Sequence, residues 1–310
     1  MNKSSGLPGF LRDIRLNKFS YFLALPAVLY VFVFNYATIP YMITAFQKFS
    51  YRTSILDNEF IGLENFKLFF SSPRALQVSI NTVRLNFLFI FFGFAVSIIL
   101  ALLINEIRIK WFSRVNQTAF IFPYFLSWII CSYIVYAIFG TDLGLLNRIR
   151  MYFGLESINW YGIAPPWTWI LVVLRVWKST GINTVIFLAA ITSIDQDLYE
   201  AGKLDGANRF QQAMRITLPL IMPTVITMAL LNLGRLFYGD FGMIYSIIRD
   251  NGLLFPTVDV IDTYIFRLLR RTGDPSQAMA VGIYQSIMGF VLVYASNWLA
   301  KRVSDEGALF

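Results

Sequence analysis

The sequence predicts an all-α membrane protein with six transmembrane helices. Of the 310 residues, 57% are hydrophobic and only 14% are charged, whereas a soluble domain carries about 25% charged residues. The mean hydropathy is +0.59. Six apolar windows are about as long as the roughly 20 residues that a helix needs to cross a bilayer. These windows are residues 21–46, 85–104, 118–139, 167–192, 218–237 and 278–299.

The windows divide the chain into a series of predicted segments. These are a polar N-terminal tail (1–20), a first crossing (21–46), an outer loop (47–79), a core domain (80–300) with the other five crossings, and a C-terminal tail (301–310). The first window is longer than the 7–15 apolar residues of a signal peptide, so we expect it to be retained. Within the core domain, residues 193–217 form a polar loop between the fourth and fifth crossings.

Charge placement predicts that both termini are cytoplasmic. The Lys/Arg counts on the two sides are nearly equal, but short loops carry the most weight. The basic residues that favour this orientation lie in the N-terminal tail and in the tight loop after the second window; they are Lys3, Arg12, Arg15, Lys18, Arg108, Lys110 and Arg114. Six crossings then return Lys301 and Arg302 to the cytoplasmic side.

The residue inventory argues against several kinds of chemistry. The chain has no His and a single cysteine, Cys131, inside an apolar window. We therefore predict no metal site, no disulfide and no catalytic residue, with Cys131 acting as a small buried hydrophobe. No phosphate-binding loop of the G-x-x-x-x-G-K-[ST] type is present, which predicts that this chain does not itself hydrolyse ATP. The net charge of +8 is typical of basic helix flanks, and we expect no nucleic-acid partner.

The polar loop at 193–217 has the signals of a compact helical knob. Asp197, followed by Glu200 three residues later, predicts the capped start of a short helix over 199–204. Asp205 and Gly206 end it, because glycine tolerates the left-handed backbone of a sharp turn. We expect a second short helix over 207–215, after which Pro219 starts the fifth crossing.

The spacing of this loop resembles the cytoplasmic coupling loop of the permeases of binding-protein-dependent ABC importers. That loop reads E-A-A, three residues, Gly, nine residues, and I-x-L-P. Here Glu200-Ala201-Gly202 is followed at those spacings by Gly206 and by Ile216-Thr217-Leu218-Pro219, with Gly202 in place of the second alanine. The resemblance implies that the loop seats in a cleft of a cytoplasmic ATPase. The coupling residues that it implies are Glu200, Ala201, Gly202, Asp205, Gly206, Ala207 and Pro219.

The resemblance extends from about Phe19 to Arg302 and is to the carbohydrate branch of this family, especially permeases for oligosaccharides and polysaccharide fragments. The matching segments are Asn81-Thr82, residues 101–106, residues 117–127, residues 177–181 and residues 205–209. The first outer loop lacks the inserted domain of the maltose-type permease.

The resemblance also implies an assembly in a bacterial cell membrane. The partners would be a second homologous permease, two cytoplasmic ATPase subunits, an extracytoplasmic solute-binding protein, an oligosaccharide substrate and membrane lipid. ATP and Mg would be bound by the ATPases, so we expect no cofactor on this chain.

Polar residues inside the apolar windows are the candidates for the substrate path, because ionisable groups in a membrane are costly. Arg175 and Lys178 interrupt the fourth window, and Lys178 lies about 16 Å deeper than Trp167 at 1.5 Å per residue. The full candidate set is Arg175, Lys178, Asn232, Arg235, Tyr284 and Gln285. Trp167, Trp177, Phe237 and Tyr238 could supply flat apolar faces for a sugar. A basic cluster on the path would favour an acidic sugar.

Other interpretations of the same residues are open. Arg175 and Lys178 could instead hold helices together, and Trp167 could be a membrane-interface anchor. The second outer loop, 239–277, has two short apolar pieces, 243–248 and 258–269, that predict a re-entrant or interfacial segment.

Two other functions also remain open. The solute could be a peptide or another polar nutrient. The chain could also be a membrane-embedded enzyme acting on glycans or lipids, with Asp240, Asp259 and Asp262 as the available acids.

Overall fold

The computed structural model describes residues 7–303, and helices form most of it. Lys3 and residues 304–310 of the predicted tails lie outside the described residues. The α-helices are α1 Leu7–Leu16, α2 Lys18–Val31, α3 Glu64–Phe70, α4 Pro73–Asn105, α5 Lys110–Ile121, α6 Trp128–Phe139, α7 Leu145–Tyr152, α8 Pro165–Thr192, α9 Gln196–Leu204, α10 Arg209–Gln212, α11 Leu218–Leu233, α12 Phe241–Ile248, α13 Phe255–Val258, α14 Ile261–Thr272 and α15 Pro275–Val303.

Shorter elements connect these helices. The 3₁₀ segments are Ile39–Phe46, Ile55–Asp57, Phe122–Phe125 and Trp160–Gly162, and the π-helical turns are Phe32–Tyr36 and Ala213–Thr217. Strands β1 Gln47–Lys48 and β2 Glu59–Phe60 pair antiparallel, with Gln47 opposite Phe60. The Asn65 side chain fastens this ribbon to α3 by donating to the carbonyls of Ala45 and Gln47, at 2.9 and 3.0 Å.

Five helical segments of the described chain are long and apolar enough to cross a membrane. They are Lys18–Phe46, Pro73–Asn105, Pro165–Thr192, Arg209–Leu233 and Pro275–Trp298. Each coincides with a predicted window, although α4 begins at Pro73, inside the predicted outer loop, where the Ser72 side chain caps it by accepting from the Arg74 amide. The six-crossing architecture is completed by a bent pair of helices.

The third predicted window is not one continuous helix. Lys110–Phe125 and Trp128–Phe139 together make a sixth span, but they meet at an angle of 97°. Pro123 has no amide hydrogen to donate, which weakens the helix before it. Ser127 then starts α6 as its N-cap, with its hydroxyl accepting from the Ile130 amide at 3.3 Å. The sequence therefore ends one helix and starts another within a few residues.

Helices α4 and α8 pack closely because small residues face each other. The Ser97 hydroxyl donates to the Thr180 carbonyl at 3.2 Å, and the Thr184 hydroxyl donates to the Ser97 carbonyl at 3.3 Å. Small and hydroxylated residues allow this approach in membrane helices. Phe94 and Phe187 pack edge to face beside them, with ring centroids 5.7 Å apart. The α4–α8 pair is the frame on which the other helices assemble.

The predicted second outer loop, residues 239–277 (the outer segment), folds into helices that cover one end of this frame. The two apolar pieces predicted there correspond to α12 and α14, which have 8 and 12 residues and are too short to span a bilayer. Met243 and Ile247 of α12 are buried in one cluster with Leu85, Trp167 and Leu171. The outer segment is therefore part of the core of the protein.

The polar loop at 193–217 forms the predicted knob, with a different start. The N-cap of α9 is Asp195, whose carboxylate accepts from the Asp197 amide at 3.1 Å. The prediction of Asp197 as the cap was wrong, because Asp197 lies inside the first turn of the helix. Gly206 ends the helix in the left-handed region, at φ +80°, as predicted.

The second part of the knob is continuous with the fifth crossing. Asn208 and Gln211 form a reciprocal capping box that starts α10 at Arg209, and the π-helical turn leads directly into α11. The prediction of a separate helix over 207–215 was therefore wrong, whereas Pro219 does lie in the first turn of α11, as predicted. The wider π-helical turn precedes Pro219, which cannot donate a helical hydrogen bond, and the helix continues through it.

Gly181 should be irreplaceable at the contact between α8 and the broken third crossing. A Cβ at this position would lie 2.0 Å from the Phe120 carbonyl oxygen, which is backbone and cannot swing away. We expect Gly181→Ala to destabilise the protein by about 1–3 kcal/mol through overpacking, measured as a lower melting temperature in detergent. Gly93→Ala is the matched control, because Gly93 is also buried in a membrane helix but has nothing within 4 Å of the added carbon. Equal effects of the two changes would contradict this account.

Candidate functional site

A cavity of about 720 Å³ lies between α4, α8 and the segment that follows α11. Four of the six predicted path residues line it: Arg175, Lys178, Asn232 and Arg235. The other lining residues are Asn86, Phe89, Ile90, Phe94, Tyr124, Ser179, Ile182, Asn183, Tyr238, Gly239, Asp240 and Phe241. The fold thus gathers polar residues from several apolar segments around one space.

Arg175 and Asp240 form an ion pair in the wall of the cavity. The Arg175 guanidinium lies 2.6 Å from the Asp240 carboxylate, and the two side chains are 37% and 21% exposed. The other carboxylate oxygen of Asp240 accepts from the Met243 amide at 3.0 Å and so caps α12. This pair therefore joins a membrane helix to the outer segment. The sequence offered Asp240 only as an enzymatic acid, although an acid before an apolar helix is a typical cap.

Lys178 supports the break in the third crossing. Its ammonium donates to the carbonyls of Pro123 at 3.3 Å and Tyr124 at 2.7 Å, and also to that of Leu126. The charge lies 5.2 Å from the centre of the Trp128 ring. Lysine has three donors, and each of them has an acceptor here. Lys178 therefore holds helices together, which is the alternative that the sequence left open for it.

Asn232 and Arg235 lie where α11 ends. The Asn232 amide donates to the Met228 carbonyl at 2.8 Å. The helix ends at Leu233, so Arg235 follows the crossing, whereas the predicted window continued to residue 237. The Arg235 side chain is exposed and lines the cavity, and the described part of the chain offers it no hydrogen bond and no ion pair.

Tyr284 and Gln285 lie outside the lining of the cavity. Gln285 donates to the Phe237 carbonyl at 2.8 Å and to the Asp262 carboxylate at 2.9 Å. The Tyr284 hydroxyl is 3.0 Å from the Ser79 hydroxyl. Both side chains hold α15 against neighbouring segments, and the structure does not bring them together with the other four candidates.

Of the four aromatic residues that were predicted to face a sugar, only one lines the cavity. Trp167 is fully buried, and its indole donates to the Trp160 carbonyl at 2.8 Å. It is therefore neither a sugar-facing surface nor an interface anchor. Phe237 is buried as well, and Trp177 is 42% exposed but does not line the cavity. Tyr238 lines the cavity.

Sequence reasoning missed other aromatic and amide residues of the cavity. Tyr124 and Phe241 line it together with Tyr238. Asn86 fixes the segment after α11 by donating to the carbonyls of Leu236 at 2.9 Å and Tyr238 at 3.1 Å, and Asn183 faces the cavity from α8. An amide inside an apolar window was the available signal for both asparagines.

Asp262 secures the chain beside the cavity. Its carboxylate accepts from the Gly239 amide at 2.6 Å, and a Cβ on Gly239 would meet that carboxylate at 2.8 Å. Burial raises the pKa of Asp262, the two hydrogen bonds from Gly239 and Gln285 oppose the rise, and the Asp240 charge adds to it. A glycine at 239 thus allows the close approach that the carboxylate needs.

The knob formed by α9 and α10 presents apolar and acidic side chains outward. Glu200, Ala201, Asp205 and Gly206 are exposed, and Gly202 and Ala207 are half-buried. Leu204 and Phe210 are 90% and 73% exposed, so the knob carries two large apolar side chains on its surface.

Internal contacts make the knob rigid. The Ala207 amide donates to the Gly202 carbonyl at 2.9 Å, and a Cβ on Gly202 would lie 2.9 Å from the Ile216 side chain. An exposed ion pair of 2.6 Å joins Arg209 to Glu106, just after α4. The knob is therefore a firm extension of the membrane helices.

The chain belongs to the family of binding-protein-dependent transport system inner membrane components, which matches residues 93–305. It is a permease subunit of an ABC importer.

Particular relatives cover nearly the whole chain. It is 34% identical over 298 residues to the protein LplB of Bacillus subtilis, with 96% of this chain and 93% of that protein covered. It is 35% identical over 291 residues to the polygalacturonan/rhamnogalacturonan transport system permease protein YteP of the same organism, with 94% and 90% covered.

A solved structure shows the same fold. A chain of a bacterial ABC transporter involved in the import of the acidic polysaccharide alginate superposes with a TM-score of 0.86 at 29% identity, with 95% of this chain and 99% of that chain covered. A second structure of the alginate transporter, in complex with an alginate pentasaccharide-bound periplasmic protein, has a TM-score of 0.84.

Removing the Lys178 ammonium should destabilise the whole protein. In Lys178→Met, the carbonyls at the break lose their donor, and a hydrogen bond to a charged group is worth about 1.5–3 kcal/mol. We expect a melting temperature several degrees lower in detergent. Lys67→Met, which changes an exposed lysine of α3, should have little effect. An unchanged melting temperature in Lys178→Met would show that the break does not depend on this side chain.

The raised pKa of Asp262 predicts the sign of a pH dependence. A folded-state pKa above the ordinary value of 3.8 means that the folded protein binds this proton more tightly than the unfolded chain. Its contribution to stability is therefore fully present below about pH 4 and is lost as the pH rises through the folded pKa. Asp262→Asn stays neutral and can still accept from Gly239. The stability of native protein relative to this variant should fall between pH 4 and 8, measured by thermal denaturation, and a rise would contradict the assignment.

Proposed function

We propose that this permease forms, with a second permease, the membrane path of an oligosaccharide, and that the knob of α9 and α10 couples this path to two cytoplasmic ATPases. The observation that carries the proposal is the cavity. Its polar wall presents guanidinium and amide groups from Arg175, Asn183, Asn232 and Arg235, beside the ring of Tyr238. A sugar needs hydrogen-bonding partners for its hydroxyls and flat faces for its rings. The volume of the cavity, about 720 Å³, falls within the range of ligand sites.

The named relatives support a carbohydrate as the solute. YteP is described as a polygalacturonan/rhamnogalacturonan permease, a 30% identical permease of Bacillus subtilis as one for arabinooligosaccharides, and the superposed structure as an alginate importer. Another polar solute, such as a peptide, is the second candidate within transport.

The structure gives less support to an enzyme. The three available acids each have a structural partner: Asp240 pairs with Arg175, Asp262 accepts from Gly239, and Asp259 is 4% exposed and pairs with Arg267. We propose that the chain has no catalytic role and that ATP and Mg bind to the ATPase partners.

The first crossing supports a second permease as partner. In the described chain, none of the apolar window of Lys18–Phe46 is buried, although α2, a π-helical turn and a 3₁₀ segment make up most of it. A helix that packs on little of its own chain fits a position against a partner and membrane lipid. We propose a bacterial cell membrane location with both termini in the cytoplasm and an extracytoplasmic binding protein that delivers the sugar to the opposite side.

The knob fits the ATPase contact by its exposed apolar residues and its rigidity. Leu204 and Phe210 would enter the ATPase surface, with Glu200 beside them. Since α10 continues into α11 without a break, a displacement of the knob would move the helix that ends at the cavity. ATPase closure would in this way open and close the path.

Changes of charge on the knob should release the ATPase. We expect at least tenfold less ATPase to co-purify with tagged Glu200→Lys or Gly206→Asp than with the tagged native protein, as quantified by mass spectrometry. The second permease should be retained. The matched control is Glu156→Lys, which reverses an exposed acid before the N-terminal end of α8, whereas the knob follows its C-terminal end. Equal ATPase recovery from all four proteins would rule out the proposed coupling.

A further inference from the structure

We infer that the cavity contains a carboxylate-binding subsite at Arg235, reinforced by Arg175, so that the oligosaccharide carried is a uronate-type, negatively charged one. This inference rests on the proposed function and specifies its substrate class. Most of the charges that line the cavity already have partners within the chain.

The cavity is lined by three basic side chains and one acidic side chain, Asp240. Lys178 uses its three donors on the carbonyls of the helix break. Arg175 is paired with Asp240. The Arg235 side chain has no hydrogen-bond or ion-pair partner in the described part of the chain and is exposed at the cavity wall. One positive charge in the cavity is therefore left without a counter-charge from the described chain.

The Arg235 guanidinium is a permanent charge, and it can bind an anionic ligand without first breaking an ion pair. Arginine presents a planar fork of donors that matches a carboxylate with two parallel hydrogen bonds. A neutral sugar offers no group that compensates this charge, whereas each uronate residue carries one carboxylate. The charge balance of the cavity thus favours an acidic sugar.

Asp240 shows that this cavity can hold a carboxylate. Its carboxylate lies in the wall at 2.6 Å from the Arg175 guanidinium, which is the contact that a substrate carboxylate would need. When no substrate is bound, the Asp240 carboxylate would neutralise the positive charge of Arg175. When an acidic sugar is bound at Arg235, its next carboxylate would compete with Asp240 for Arg175.

The test is equilibrium binding to the purified complete transporter without its binding protein, so that only the permeases select. The probes are a radiolabelled trigalacturonate and the same trisaccharide after reduction of its carboxyl groups, which removes the charges and keeps the sugar backbone. We expect the native complex to prefer the acidic form at least tenfold. Arg235→Gln should lose most of that preference, and Arg235→Lys should keep part of it, because it keeps the charge without the fork.

Two further variants separate a carboxylate site from general electrostatics. Asp240→Asn frees Arg175 and preserves the cap of α12, because Asn is as good a cap as Asp; it should bind the acidic form several-fold tighter and the reduced form unchanged. Arg271→Gln removes an exposed arginine that does not line the cavity and should match the native complex.

Specific results would overturn the inference. Equal binding of both forms by the native complex would exclude the carboxylate subsite and leave oligosaccharide transport intact. Loss of the second permease from the Arg235→Gln complex would make Arg235 an interface residue instead. Binding of neither form would count against both the subsite and the oligosaccharide proposal.

Discussion

Backbone carbonyls inside a membrane need donors, because lipid offers none. The third crossing of this permease breaks at Phe122–Phe125 and turns by 97°, which frees carbonyl groups where an unbroken helix would have satisfied them. The Lys178 ammonium supplies the missing donors from α8. Gly181, one turn further along the same helix, lets the broken segment approach. The cavity lies beside this junction, and its shape therefore depends on the charged side chain of Lys178 and on the absence of a Cβ at Gly181.

The same helix also contributes two of the three positive charges of the cavity. Lys178 and Arg175 lie on adjacent turns of α8, so one cation faces the break and the other faces Asp240. The Arg175–Asp240 pair is partly exposed, and such pairs contribute little stability on their own. Its importance lies in its position, because it connects α8 to the cap of α12 and so links a membrane helix to residues 239–277, which cover that end of the protein.

The sequence could predict the helices but only part of the cavity. Lipid demands long apolar runs, so the apolar windows predicted where the crossings lie, although not their bounds. Arg175 and Arg235, which interrupt these windows, line one cavity. The role of Lys178 was not readable, because its acceptors lie 52–55 residues away and become available only when the helix breaks. Trp167 was misjudged for a similar reason: its position at a window's end suggested an interface, but the outer helices bury it.

Helices α8 and α11 enter the knob from its two sides, and both contribute to the cavity. Three residues separate α8 from α9, while α10 passes through a π-helical turn into α11. A force applied at Leu204 or Phe210 would therefore reach Lys178 and Arg175 along one helix and Asn232 along the other. Because Arg235 follows the end of α11 while Arg175 lies within α8, a relative movement of the two helices would change the spacing of the two guanidinium groups. In the function proposed above, movement of the knob would therefore change the affinity for a ligand held between the two guanidinium groups as well as the width of the cavity.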